Sequence, residues 1–156
     1  AMAPPKSHDR AEWFVEKAVE IGIQEISFVL SQNSERNNIK INRIRNRAIS
    51  SMKQSLKAYC PQINDILSIS DFVTTCSNSE KYLGYLIDED TNSLPKSAKP
   101  DSNYCVLIGP ECDFIQEEVN LAINCDFQII SLGKSRLRTE TAGIAACHIL
   151  NIINEK

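Results

Sequence analysis

A chain of 156 residues that is 42% apolar and 24% charged has the size and make-up of one globular domain able to bury its own core. That composition excludes collagen-like, mucin-like and disordered chains, and no run approaches the roughly 18 apolar residues that span a bilayer. The formal charge of −3 hides an asymmetry: bases crowd residues 36–57 with no carboxylate among them, while residues 111–126 carry acids and no base.

Strand and helix signals alternate along the chain. Ala1-Met2 reads as the remnant of an expression tag, and no apolar signal segment follows it. Asp9 with Glu12 three residues on suggests a capped helix start. Trp13, Phe14, Ala18 and Ile21 then recur at helical spacing up to Gly22. Residues 25–30 read as a strand and 31–38 as a polar loop. A long basic helix is expected over 39–59, with Ile41, Ile44, Ala48, Met52 and Leu56 as its apolar stripe and Pro61 closing it. A short strand at 66–69, a brief helix, a strand at 82–87 and a loop over 88–102 come next. The apolar run Tyr104-Cys105-Val106-Leu107-Ile108 suits a strand buried on both faces of a parallel sheet. A helix over 115–124, a strand over 128–132, a loop over 133–138 and a helix from Thr139 towards Asn154 complete an α/β domain with a mostly parallel sheet flanked by helices.

The six cysteines are scattered without C-x-x-C spacing and lie mostly in apolar runs. They read as free thiols of a reduced, cytoplasmic protein, with neither a disulfide framework nor a zinc site. His148 is expected on the buried side of the last helix. Phosphate-binding glycine loops and hydrolase motifs are absent. Ligands of open α/β sheets bind beyond the carboxyl ends of strands, where Gly109 and Gly133 stand. Either glycine also fits an ordinary turn.

Leu107-Ile108-Gly109-Pro110-Glu111, followed by Ser131-Leu132-Gly133-Lys134-Ser135-Arg136-Leu137-Arg138-Thr139-Glu140-Thr141-Ala142, strongly resembles the SPOUT methyltransferases. Within that class it is most similar to the bacterial 16S ribosomal RNA uridine N3-methyltransferases. Residues 9–22 and Met52-Lys53-Gln54-Ser55 also resemble that family, in the right order. The resemblance implies a sheet whose C-terminal part is tied into a deep trefoil knot, a homodimer, and S-adenosylmethionine bound among the knot loops. It places Leu107, Ile108, Gly109, Pro110 and Glu111 along one side of the cofactor and Ser131, Leu132, Gly133, Leu137 and Arg138 along another. Leu86 would belong to a third wall.

Methyl transfer to uridine N3 needs a proton acceptor and a cation for the uridinate oxygens, and no metal. Arg138 is the expected cation. Glu140 or Glu111 is the expected base, although a first-turn carboxylate such as Glu140 also fits a helix dipole. Arg36, Arg43, Arg45, Arg47, Lys53 and Lys57 would track phosphates of 16S ribosomal RNA in the small subunit; a solvated helix face explains such a run equally simply.

The family's two glycines after Gly-Pro-Glu are Cys112 and Asp113 here. A positive φ at 112 would strain the loop and expose a thiol beside the cofactor. The family's N-terminal RNA-binding domain has no counterpart in residues 1–156. Two alternatives therefore stand beside the uridine methyltransferase: a SPOUT enzyme acting on another RNA at ribose or guanine, and a non-catalytic RNA-binding dimerisation module.

Overall fold

The computed structural model describes residues 1–85 and 92–155. Its helices are α1 (His8–Ile21), α2 (Ile41–Gln54), α3 (Ile69–Thr75), α4 (Leu94–Ser97), α5 (Gln116–Asn124) and α6 (Thr139–Ile153). Its strands are β1 (Glu25–Ile26), β2 (Val29–Leu30), β3 (Gln62–Ile63), β4 (Leu67–Ser68), β5 (Glu80–Gly84), β6 (Tyr104–Ile108) and β7 (Gln128–Ile130).

Every strand pairing among the described residues is parallel. β5 lies between β6 and β7, with Leu83 opposite Leu107 on one side and Ile129 on the other. β1 pairs with β3, and β2 with β4. The segment Ala1–Ala3, whose first two residues were expected from sequence to be a tag remnant, joins these pieces. Met2 bridges Phe28 and Ile108 in parallel, donates its amide to Ser27 O at 3.0 Å, and is 1% exposed.

Alternation along the strands sends side chains to two apolar layers. Val106 and Ile108 face the layer of Phe14, Val15 and Ala18 from α1 with Ile44 and Ala48 from α2. Cys105 and Leu107 face Val73 of α3 with Val119 and Ala122 of α5. The domain is therefore α/β, with helices covering both faces of the sheet.

Several boundaries differ from the sequence expectations. α1 begins one residue before Asp9 because Ser7 is its cap, accepting from Arg10 N at 3.3 Å. The strand expected over 25–30 is two short pieces, since Phe28 pairs with Met2 between them. α2 ends at Gln54, well before Pro61: Leu56 adopts φ 54° and is 92% exposed, so the apolar stripe stops at Met52. The described part of the 88–102 loop contains α4, with a proline in its first turn. His148 is exposed, because α6 turns Ala142, Gly143 and Ala146 inward. The strand expected over 82–87 is shifted to 80–84, its last expected residues lying outside the described range.

Candidate functional site

A cleft of about 340 Å³ opens beyond the carboxyl ends of β5, β6 and β7. Gly84 and Tyr85 form its floor on one side. Ile108, Gly109, Pro110 and Glu111 come from the loop after β6, and Ser131, Leu132 and Gly133 from the loop after β7. Leu137, Thr139 and Ala142 close it at the start of α6.

Most of the residues expected from sequence to surround a ligand therefore share one cleft. Leu107 does not line it: it is 0% exposed and belongs to the core beneath. Arg138 turns away from this cleft into a neighbouring pocket. Leu86 lies outside the described residues. Sequence reasoning missed Gly84, Tyr85, Asp113, Ile130, Ser135, Arg136, Thr139 and Ala142. Position beyond a strand end was the available signal for Gly84 and Tyr85. Thr139 and Ala142 stood inside the recognised motif.

Close packing fixes the loops. A Cβ on Gly109 would stand 3.0 Å from Phe114 Cε2 and 3.2 Å from Asp113 Oδ1, so a side chain there would push both neighbours back by a few tenths of an ångström. Thr139 Oγ1 donates to Gly109 O at 3.0 Å in a buried bond, fastening α6 to the end of β6. Arg136 Nη2 donates to Glu111 O at 2.9 Å, tying the two loops together. Gly133 has φ 124°, and its amide donates to Ser131 Oγ at 3.1 Å.

The altered Gly-Pro-Glu loop resolves differently from the sequence expectation. Positive φ falls at Asp113, at 65°, and not at Cys112. Aspartate enters this region more readily than most residues because its short side chain bonds locally. Here Asp113 Oδ1 accepts from Phe114 N at 2.9 Å, while Asn33 Nδ2 donates to Asp113 O at 2.9 Å. Burial raises the Asp113 carboxyl above its ordinary range, opposed by the Phe114 amide and the Arg136 charge. Cys112 is an exposed free thiol.

The two candidate bases are linked through Arg10. Its Nη1 lies 3.9 Å from Glu111 Oε1 and its Nε 3.6 Å from Glu140 Oε1. Arg138 is exposed and makes no ion pair with a described residue. Beside Arg138 lies a second pocket, also about 340 Å³, lined by Asp9, Arg10, Trp13, Arg138, Glu140 and Thr141. Among the described residues no three His, Cys, Asp or Glu side chains gather to hold a metal ion.

The expected phosphate-tracking face is largely committed within the fold. Arg43 and Arg47 both pair with the buried carboxylate of Glu12, and Arg47 also reaches Glu16. Arg45 pairs with Asp65 at 3.1 Å, and Arg36 donates twice to Lys6 O at 3.2 Å. Lys53 and Lys57 make no ion pair with a described residue.

A family model described as an RNA methyltransferase domain matches residues 1–151. The chain belongs to that family. Ribosomal RNA small subunit methyltransferase E of Mesomycoplasma hyopneumoniae (strain 232) is 31% identical over 139 residues, 85% of this chain and 60% of the relative. The crystal structure of a probable rRNA-methyltransferase from Porphyromonas gingivalis is 40% identical with TM-score 0.88, covering 96% of this chain and 66% of that one. A ribosomal RNA small subunit methyltransferase E from Neisseria gonorrhoeae, solved bound to S-adenosyl methionine, is 26% identical with TM-score 0.89, covering 98% and 64%. The methyltransferase domain described here thus spans about 60% of the length of a curated relative it matches. No helix among its described residues is long and apolar enough to cross a membrane.

Proposed function

We propose that this domain methylates N3 of a uridine in 16S ribosomal RNA of the small subunit, using S-adenosylmethionine. The observation that carries the proposal is the cleft beyond the three parallel strands, in a chain of the RNA methyltransferase family. Its size falls within the roughly 300–1,000 Å³ of small-molecule sites. Its lining fits the cofactor. Ile108, Leu132, Leu137 and Ala142 offer apolar surface to an adenine, the backbones of Gly109 and Gly133 allow close approach, and Glu111 and Asp113 offer carboxylates to a cation.

Held among Ile108, Gly109, Leu132, Gly133 and Leu137, S-adenosylmethionine would supply an electrophilic methyl group for N3, with S-adenosylhomocysteine as the leaving group. The chain's own residues handle charge. Glu140 or Glu111 accepts the N3 proton, and Arg138, at the helix start and without an ion pair to any described residue, stabilises the uridinate oxygens. We place the C-terminal loops in a trefoil knot and the working unit in a reduced, cytoplasmic homodimer. The loop-to-loop bonds of Arg136 and Thr139, the half-exposed Ile152 of α6 and the free thiols support this. The alternative of a decayed, non-catalytic module drew on strain at Cys112, and that position has no positive φ.

A thermal-shift titration with S-adenosylmethionine and S-adenosylhomocysteine tests the cofactor. Ligand at 100 times its dissociation constant adds about 2.7 kcal/mol of stability. The absence of a saturable shift would sink the reading. Transfer of a labelled methyl group to small subunits, with N3-methyluridine recovered after digestion, tests the target.

A further inference from the structure

The second pocket lies beside the first, and the opening turn of α6 contributes side chains to both. Thr139 and Ala142 line the first cleft; Arg138, Glu140 and Thr141 line the second. Two independent features of the second pocket ask for a ligand. The Glu140 side chain is 7% exposed, its Oε1 faces Arg10, and its Oε2 is buried with no hydrogen-bond partner among the described residues. A buried carboxylate oxygen left unmet is costly, so the site is short of one donor. The other feature is Trp13, left 45% exposed on a helix that buries Phe14 and Val15 beside it. An open indole in a pocket with charged walls is a stacking surface for a flat polar ring.

We propose that this pocket receives the target uracil, with its ring against Trp13, its N3–H donating to Glu140 Oε2, and its carbonyl oxygens facing the guanidinium groups of Arg138 and Arg10. The inference rests on the methyltransferase reading above and deepens it. A uracil edge presents carbonyl, N–H and carbonyl; the pocket supplies cationic donors and one anionic acceptor. Cytosine presents a bare nitrogen at the same ring position, which meets a carboxylate lone pair and is rejected. The proton of N3 passes to Glu140 and from there to solvent, while Glu111, in the first cleft, holds no proton in the step. Trp13 and Arg10 are positioning residues.

Trp13 is the one tryptophan of the chain and reports on its own pocket. The probe is a short oligocytidylate RNA carrying one uridine, titrated into the full chain with tryptophan emission recorded. Saturable quenching is expected. Affinity is expected to be lower by about five- to a hundredfold for the all-cytidine RNA and for the RNA with N3-methyluridine. With a labelled RNA and anisotropy, Trp13→Ala loses a similar factor, Trp13→Phe keeps most of it, and both retain the wild-type melting temperature. Glu140→Gln, whose amide can donate to a cytosine nitrogen, shifts preference towards cytidine. That is a change of specificity which a merely structural role would not produce. Equal affinity for uridine and cytidine, or no saturable quenching up to millimolar RNA, overturns the proposal. A cofactor thermal shift accompanied by either result removes the uracil pocket alone; its absence removes the methyltransferase reading as well.

Discussion

Gly143 of α6 leaves no room for a side chain against Phe14 of α1: a Cβ there would stand 2.6 Å from Phe14 Cε2. This contact sets the closeness of the two helices, and that closeness brings Arg10 within reach of Glu140. Gly143→Val should therefore destabilise the domain by about 1–3 kcal/mol, the usual cost of overpacking. Urea denaturation reads it, and an unchanged midpoint would show that Phe14 moves aside freely.

Asp113 gives a pH dependence of known sign. Burial raises its carboxyl, so the folded chain keeps a proton over an interval where the unfolded chain has lost it. The stability this contributes is fully present below the ordinary value of 3.8 and is lost as pH rises through the folded value. Asp113→Asn tolerates the positive φ, keeps an acceptor for Phe114 N and carries no charge. Its stability relative to the parent should rise between pH 4 and pH 7, measured by denaturation at each pH. A gap that stays constant would place the carboxyl in solvent.

Cys112 and Cys60 are the exposed thiols among the described cysteines, and Cys105 is buried. A thiol-specific chromogenic reagent should label Cys112 and Cys60 first. Cys147 should lag, since burial pushes its thiol up to about 11. Because positive φ falls at Asp113, Cys112→Gly should leave cofactor affinity within a few-fold. A large gain in affinity would return the strain to Cys112.

Arg138→Ala should lower methyl transfer by about 10²–10³-fold, the loss typical of one donor to a developing oxyanion. Cofactor affinity should hold, because Arg138 lines the second pocket and not the first cleft. Calorimetry and a methylation assay separate the two. Normal turnover would remove Arg138 from the chemistry.

Two basic residues of α2 should behave differently. Lys53→Ala should reduce the salt dependence of RNA binding by about 0.7 in slope without moving the melting temperature. Arg47→Ala should lower the melting temperature, because it abandons the buried Glu12. The reverse outcome would make Arg47 the phosphate contact.

Much of this domain was legible one element at a time. Apolar runs with turn residues after them announced β6 and β7, and helical spacing announced α1 and α2, because burial imposes those periods locally. The loops after β6 and β7 stood out through resemblance, and eight of the residues it named line one cleft. What stayed hidden depends on partners far away in sequence. Met2 takes up β-bridge pairing only because Phe28 and Ile108 flank it. Arg43 and Arg47 looked free until α1 brought Glu12 beside them. The link from Arg10 to Glu140 crosses nearly the whole chain, and no local pattern encodes it.

The segment through Met2 has a kinetic consequence. Its backbone pairs with β6 through groups 105 residues apart, such as the Ala1 amino group and Val106 O. Closing so long a loop costs chain entropy before any contact repays it, and topologies rich in distant pairings fold slowly. The two parts of the sheet can thus form early and separately, β1 with β3 on one side and β5 with β6 on the other. Insertion of the three-residue strip between them is the step expected to come last. Amide exchange at Met2 and Ala3 would time that closure.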